Sequence, residues 1–221
     1  VSGEARRIPR IGLIASVALI ALACGGSGGL PPELPPVVKG PDGKEYLLLD
    51  RGKYKGFYDR WGRLQRIEYD SNGDGKADVI AYHDGAKSPH QLAIDEDFDG
   101  RFDRWEDYDP QGVLRNVGLS RRHNGHPDMW VVSTANDVPL RKDYDDDQDG
   151  RINRSEIFAH GLLVRVEMDT NGDGKVDRWQ DWSAGHLTSE LVDTDGDGKP
   201  DRKITYGDKG RVLRLEHVGG E

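Results

Sequence analysis

The segment 145–156, DDDQDGRINRSE, collects oxygen donors at intervals that suit a hard divalent cation. Asp145, Asp147 and Asp149 present carboxylates at alternate positions, and Gly150 follows where the backbone has to bend sharply. Arg151 offers its backbone carbonyl, Asn153 a side-chain oxygen and Glu156 a two-oxygen carboxylate. Ca2+ takes six to eight oxygens at about 2.3–2.6 Å and tolerates uneven geometry, so positions one, three, five, seven, nine and twelve of this loop can fill its shell. Mg2+ suits it less, because a small octahedral ion dehydrates reluctantly.

The same spacing returns along the chain. Intact relatives start at Asp70, Asp95, Asp169 and Asp193 and read DSNGDGKAD, DEDFDGRFD, DTNGDGKVD and DTDGDGKPD. Their candidate ligands are Asp70, Asn72, Asp74, Lys76 and Asp78 in the first, and Asp95, Asp97, Asp99, Arg101, Asp103 and Glu106 in the second. The later pair offers Asp169, Asn171, Asp173, Lys175 and Asp177, then Asp193, Asp195, Asp197, Lys199 and Asp201. The basic residues contribute their carbonyls. Ala81, Gln180 and Ile204 stand at position twelve in three copies, which lack the bidentate acid and are expected to bind more weakly. A degenerate copy starts at Ser120 and another ends over residues 55–61. From Asp70 onward the starts lie 25, 25, 25, 24 and 24 residues apart. Residues 45–221 therefore read as about seven repeats of 24–25 residues.

The segments between the loops must position these ligands, and their pattern has period two. Tyr69, Ile94, Leu119, Tyr144, Met168 and Val192 each precede a loop, and Ile67, Leu92, Val117 and Val166 stand two residues earlier. Lys142 and Glu190 are the exceptions. Alternation of this kind predicts half-buried antiparallel strands. Glycine-bearing turns such as Asp109-Pro110-Gln111-Gly112 and Ala184-Gly185 join the strands in pairs. The expected fold is all-β: tandem antiparallel β-hairpin repeats, a meander or solenoid-like array, joined by DxDxDGxxD loops.

At the level of the loop, segment 145–156 resembles the EF-hand and dockerin families. That resemblance implies calcium as the ligand. It implies helices beside each loop as well, but two helices do not fit between loops 25 residues apart, so EF-hand-like helical repeats are the alternative fold. Segment 70–82, DSNGDGKADVIAY, resembles integrin-like propeller repeats, which makes a β-propeller a second alternative. Blades use about four strands, more than this period can supply.

Residues 1–23 read as a signal peptide: Arg6, Arg7 and Arg10 precede an apolar run over residues 11–23. Ala21-Leu22-Ala23-Cys24, followed by glycines, resembles the lipobox of a bacterial lipoprotein, although Ala21 stands where that pattern has leucine. The resemblance implies lipidation of Cys24 and a membrane anchor in the cell envelope. Residues 24–44, rich in glycine and then proline, are expected to be a linker. Cys24 is the sole cysteine, so no disulfide is available and metal is the natural staple.

A net charge of −9 argues against a nucleic-acid partner. With 35% apolar and 32% charged residues the core should be thin. At about 1 mM calcium, a site with a dissociation constant of about 10 µM stabilises the fold by about 2.7 kcal/mol. The expected function is calcium binding without catalysis, since no nucleophile elbow, phosphate loop, HExxH or CxxC is present. His123, His126 and Asp128 read as part of a decayed calcium loop rather than a transition-metal site. Trp61, Trp105, Trp130 and Trp179 share position eleven, which reads as repeat packing; an aromatic ladder for glycans on an adhesion module is the alternative, and a calcium sensor another.

Overall fold

A computed structural model describes residues 35–134, 136 and 138–219. Cys24, the expected signal peptide and most of the expected linker lie outside the described residues. The fold is all-β and antiparallel, and within each of two compact units strand order follows chain order. The chain divides into two compact units, Val1–Arg115 with His123–Gly125, and Asn116–Arg122 with His126–Glu221.

The first unit contains β1 (Val37–Lys39), β2 (Glu45–Asp50), β3 (Tyr54–Tyr58), β4 (Leu64–Tyr69), β5 (Val79–Tyr82), β6 (Gln91–Ile94) and β7 (Arg104–Tyr108). The division falls within β8 (Leu114–Leu119). The second unit continues with β9 (Met129–Ser133), β10 (Pro139–Tyr144), β11 (Arg154–Ala159) and β12 (Leu162–Met168). It ends with β13 (Arg178–Ser183), β14 (His186–Val192), β15 (Arg202–Tyr206) and β16 (Val212–His217). Among the described residues the one helical feature is a single 3-10 turn at Asp208–Gly210. No described helix is long and apolar enough to cross a membrane.

The expected hairpin array is thus the observed one. Among the described residues the loops are flanked by strands, not helices, and within each unit strands pair with their chain neighbours, so neither EF-hand-like helices nor propeller blades form. The physical reason is the alternation: a period of two gives an antiparallel strand one buried edge of side chains, whereas a helix would scatter the same residues around its axis.

In the first unit, cross-strand register sets Ile67 opposite Ala81, Ala81 opposite Leu92, and Val79 opposite Ile94. These five form a buried cluster, with Tyr54, Leu64, Tyr69 and Tyr108 packed against it. In the second unit the corresponding line runs Val117, Val131, Lys142, Glu156, Val166, Gln180, Glu190, Ile204 and Leu215, each opposite the next. Apolar positions give way there to charged ones along one face.

Two boundaries differ from expectation. Val37–Lys39, assigned to the linker, pairs with β2 through Val37 and Leu47, because two consecutive valines next to a Gly40–Gly43 turn make a usable edge strand. Residues 55–61 are not a faded calcium loop. Most of that stretch is β3, and Trp61 sits in the hairpin turn that follows, 65% exposed with Arg60 and Arg63 over its ring. Asp59 Oδ1 accepts the Trp61 and Arg63 N–H groups at 2.9 Å each. Asp109 does the same for Gln111 and Val113. A D-x-x-G turn therefore resembled a loop remnant in sequence. Trp61 does not share its place with Trp105, Trp130 and Trp179, which lie on strands.

Candidate metal centres

Each nine-residue connection is built from the strand ends inward. The position-nine N–H donates to the carbonyl of the residue preceding the loop, as Asp103 does to Ile94 at 2.8 Å and Asn153 to Tyr144 at 3.0 Å. The position-one N–H donates to the position-nine carbonyl of the loop before, as Asp95 does to Asp78 at 2.8 Å and Asp193 to Asp177 at 2.9 Å. Successive loops are therefore continuous with the strand ladder rather than hung from it.

Inside the loop the side chains close the backbone. The position-nine oxygen accepts the position-two N–H: Asp78 from Ser71 at 2.6 Å, Asp103 from Glu96 at 3.1 Å, Asn153 from Asp146 at 3.0 Å, Asp177 from Thr170 at 2.8 Å. Asp201 holds Thr194 in the same way at 2.5 Å. Position one accepts from position six, as Asp145 does from Gly150 at 3.0 Å and Asp193 from Gly198 at 2.7 Å. Positions three and five each take the N–H two residues on. Asn72 and Asn171 bind Asp74 and Asp173, while Asp74, Asp99, Asp149, Asp173 and Asp197 bind Lys76, Arg101, Arg151, Lys175 and Lys199.

This winding needs left-handed backbone at two positions. Position six is glycine throughout, with φ between 82° and 90°. Position four is glycine in three loops, but Phe98, His123 and Gln148 occupy it elsewhere at φ of 63°, 52° and 63°. A bulky residue there costs about 1–3 kcal/mol that the rest of the loop must offset. The second requirement was readable only in copies written NGDG or DGDG.

The result is a set of carboxylates facing one another. Asp95, Asp97 and Asp99 have ligand atoms all within 4.8 Å, as do Asp145, Asp147 and Asp149, and Asp193, Asp195 and Asp197. These triplets have the geometry to hold a metal ion. Burial, together with the charges of Asp103 and Asp99, pushes the Asp95 carboxyl above its ordinary value, as expected of acids crowded without a counter-ion. Asp145 is 4% exposed, and its Oδ1 is buried without a hydrogen-bond partner. An unpaired buried carboxylate oxygen is costly, and a cation is the group that fits it.

A fourth group joins Asp97 and Asp103 to His123 from the next loop, whose Nδ1 lies 3.2 and 3.0 Å from their oxygens.

Glu106 and Glu156, expected at position twelve, do not enter these groups. They stand on β7 and β11, on the line of side chains that includes Leu92 and Val166. Arg104 binds Glu106 at 2.6 Å, with both side chains almost wholly buried, and the Tyr108 hydroxyl donates to it as well. Arg154 binds Glu156 at 2.6 Å and the Tyr144 hydroxyl donates to it at 3.0 Å. Position twelve lies two residues past the first strand residue, so the sheet decides which way it points. An arginine at position ten then claims the acid.

The loop starting at Ser120 has lost its acids at positions one, three and five, but retains Asp128, which is 1% exposed. Arg121 donates Nε to Asp128 Oδ1 at 3.0 Å and Nη2 to Asp146 Oδ1 at 2.9 Å. Arg154 Nε holds the other Asp146 oxygen at 3.0 Å. Burial opposes ionisation of Asp146, yet these two arginines hold its carboxyl below the ordinary value. Asp146 lies between two ligand candidates, and the odd-position spacing of the ligands does not mark it.

No family model matches this chain, and no curated protein matches it. Among solved structures, a mutant form of S. aureus TarM in complex with fondaparinux, alpha-GlcNAc-glycerol and UDP aligns at 10% identity and a TM-score of 0.34, covering 54% of this chain and 21% of that one. Another TarM structure aligns at 10% identity and a TM-score of 0.33, covering 53% and 20%. The accessory secretory protein 1, 2 and 3 structure from Streptococcus pneumoniae aligns at 12% identity and a TM-score of 0.19, covering 66% and 20%. The chain spans about a fifth of the length of these proteins, and likenesses this slight carry no argument about its fold or activity.

Proposed function

We propose that this is a calcium-binding repeat protein of the cell envelope, lipid-anchored through Cys24, in which Ca2+ staples β-hairpins together. The observation that carries the reading is the buried, unpartnered Oδ1 of Asp145 among the carboxylates of Asp147 and Asp149. A hard, doubly charged ion with oxygen preference satisfies that atom and neutralises its neighbours at once. Asp145, Asp147 and Asp149 hold the ion by side chains, with the Arg151 carbonyl as the next donor. The triplets at Asp95 and Asp193 follow the same pattern, and the loops at Asp70 and Asp169 substitute asparagine at position three. Calcium here supplies charge neutralisation and cross-bracing of the loops at the strand ends.

Calorimetric titration with Ca2+ tests this directly. Several binding steps are expected, with far-UV circular dichroism retaining β character and thermal stability falling on chelation. Absence of binding at about 1 mM Ca2+ sinks the proposal.

A further inference from the structure

The 120–128 loop is, among the described residues, the one nine-residue connection whose positions one, three and five no longer carry acids, yet its Asp128 is the most deeply buried of the position-nine groups. A carboxylate sealed from water requires a positive partner. Arg121 supplies it: its backbone N–H and Nε both donate to Asp128 Oδ1 at 3.0 Å, and Nη2 reaches the Asp128 carbonyl at 3.2 Å. The guanidinium fork has donors left over, and Nη2 also binds Asp146 Oδ1 at 2.9 Å in the neighbouring loop. Arg122 Nη2 adds a bond to the Asp146 carbonyl at 2.6 Å. The ring of Tyr144, the residue before that loop, lies 5.2 Å from the Arg121 guanidinium and 3.7 Å from that of Arg154. The Asp146 carboxylate is thereby held by the side chains of Arg121 and Arg154, and Asp145, its chain neighbour, is buried with an oxygen that no described residue satisfies.

We propose that Arg121 is a resident cation: its guanidinium pairs with Asp128, the one acid the 120–128 loop keeps, and through Asp146 it positions the 145–153 loop to bind a metal ion. Arg121 is a positioning residue and touches no metal. Conversion of one loop into a brace gives the next loop a rigid wall, as outer-shell partners do for metal ligands elsewhere. The proposal rests on the calcium reading above and adds which loop does not bind and which binds most tightly.

The test uses the full chain and Ca2+ calorimetry. Arg121→Met alone leaves the buried Asp128 carboxylate without its cation, so it is combined with Asp128→Asn. The amide can still accept the position-two N–H, as Asn153 does in its own loop. With unchanged circular dichroism in calcium, this pair should weaken the tightest binding step by about 10–100-fold and leave the number of ions per chain the same. In an Asp145→Asn background, which removes that step, the pair should have no further effect on the remaining ones. An unchanged tight step overturns the proposal, as does the loss of one ion from the count, which would make the 120–128 loop a metal site itself. A pair that still weakens binding in the Asp145→Asn background overturns it too. Failure of the natural chain to bind calcium at all overturns both this proposal and the reading beneath it, whereas the other results leave that reading standing.

Discussion

Across β4–β6, Ile67, Val79, Ala81, Leu92 and Ile94 bury one another, while across β13–β16 no described apolar residue is buried and Val212, Leu213 and Leu215 are more than half exposed. Both regions carry the same loops with the same internal bonding. What differs is the sheet between them. The first is held by desolvated apolar surface, which contributes at any ionic condition. The second relies on cross-strand polar pairs, such as Glu190 with Tyr206 at 2.9 Å and Gln180 at 3.2 Å, and on the loops at its ends. A repeat can therefore keep its outline while the source of its stability moves from core to loop.

The comparison breaks most visibly under chelation. Hydrogen exchange should speed up by at least about tenfold in β13–β16 on removal of calcium, with a smaller change in β4–β6. Equal acceleration in both would show that the loops matter alike everywhere.

Truncation of the apolar side chains should rank the other way. Leu92→Ala should cost about 2–5 kcal/mol in chemical denaturation, with or without calcium. Leu213→Ala, at an exposed position, should stay within about 0.5 kcal/mol.

A third experiment separates the brace from the metal. Asp177 accepts the Thr170 N–H and hydroxyl at 2.8 Å and the Asn171 N–H at 3.1 Å. Asp177→Ala should therefore cost about 2 kcal/mol, and most of that loss should persist in excess chelator. A cost seen only with calcium present would make Asp177 a ligand and nothing else.

The smallest effect is an acid-sensitive turn. The Val113 N–H, with the Arg115 guanidinium and the Gln111 N–H, holds the Asp109 carboxyl below its ordinary value of 3.8. Its stabilisation is thus complete above that value and lost as pH falls through the lower folded one. Carboxyl chemical shifts and amide exchange should show the 109–113 turn loosening at that point. The Ala184-Gly185 turn carries no acid and should not respond.

Much of the loop was legible because its chemistry is local. Asp145 accepting from Gly150, and Asp149 from Arg151, follow from residues within one turn of chain. The strand alternation at Ile67 and Tyr69 was legible for the same reason: one side chain in two faces the cluster. The fates of Glu106 and Glu156 were not. Their spacing matched a ligand position, but the strand begins at position ten and turns position twelve onto the sheet, where an arginine already stands. Trp61 misled similarly, because an aspartate and a glycine define a hairpin turn as readily as a loop remnant.

By itself the sequence determined an all-β repeat with oxygen-rich loops, since periodicity and ligand spacing act between near neighbours. Only the tertiary structure decided how the loops differ from one another. Arg121, Asp128, Asp146 and Arg154 meet because adjacent strands bring residues about 25 apart into contact. Whether a carboxylate finds a guanidinium or is left with an unpaired oxygen depends on that neighbour across the sheet, not on the order of residues in its own loop.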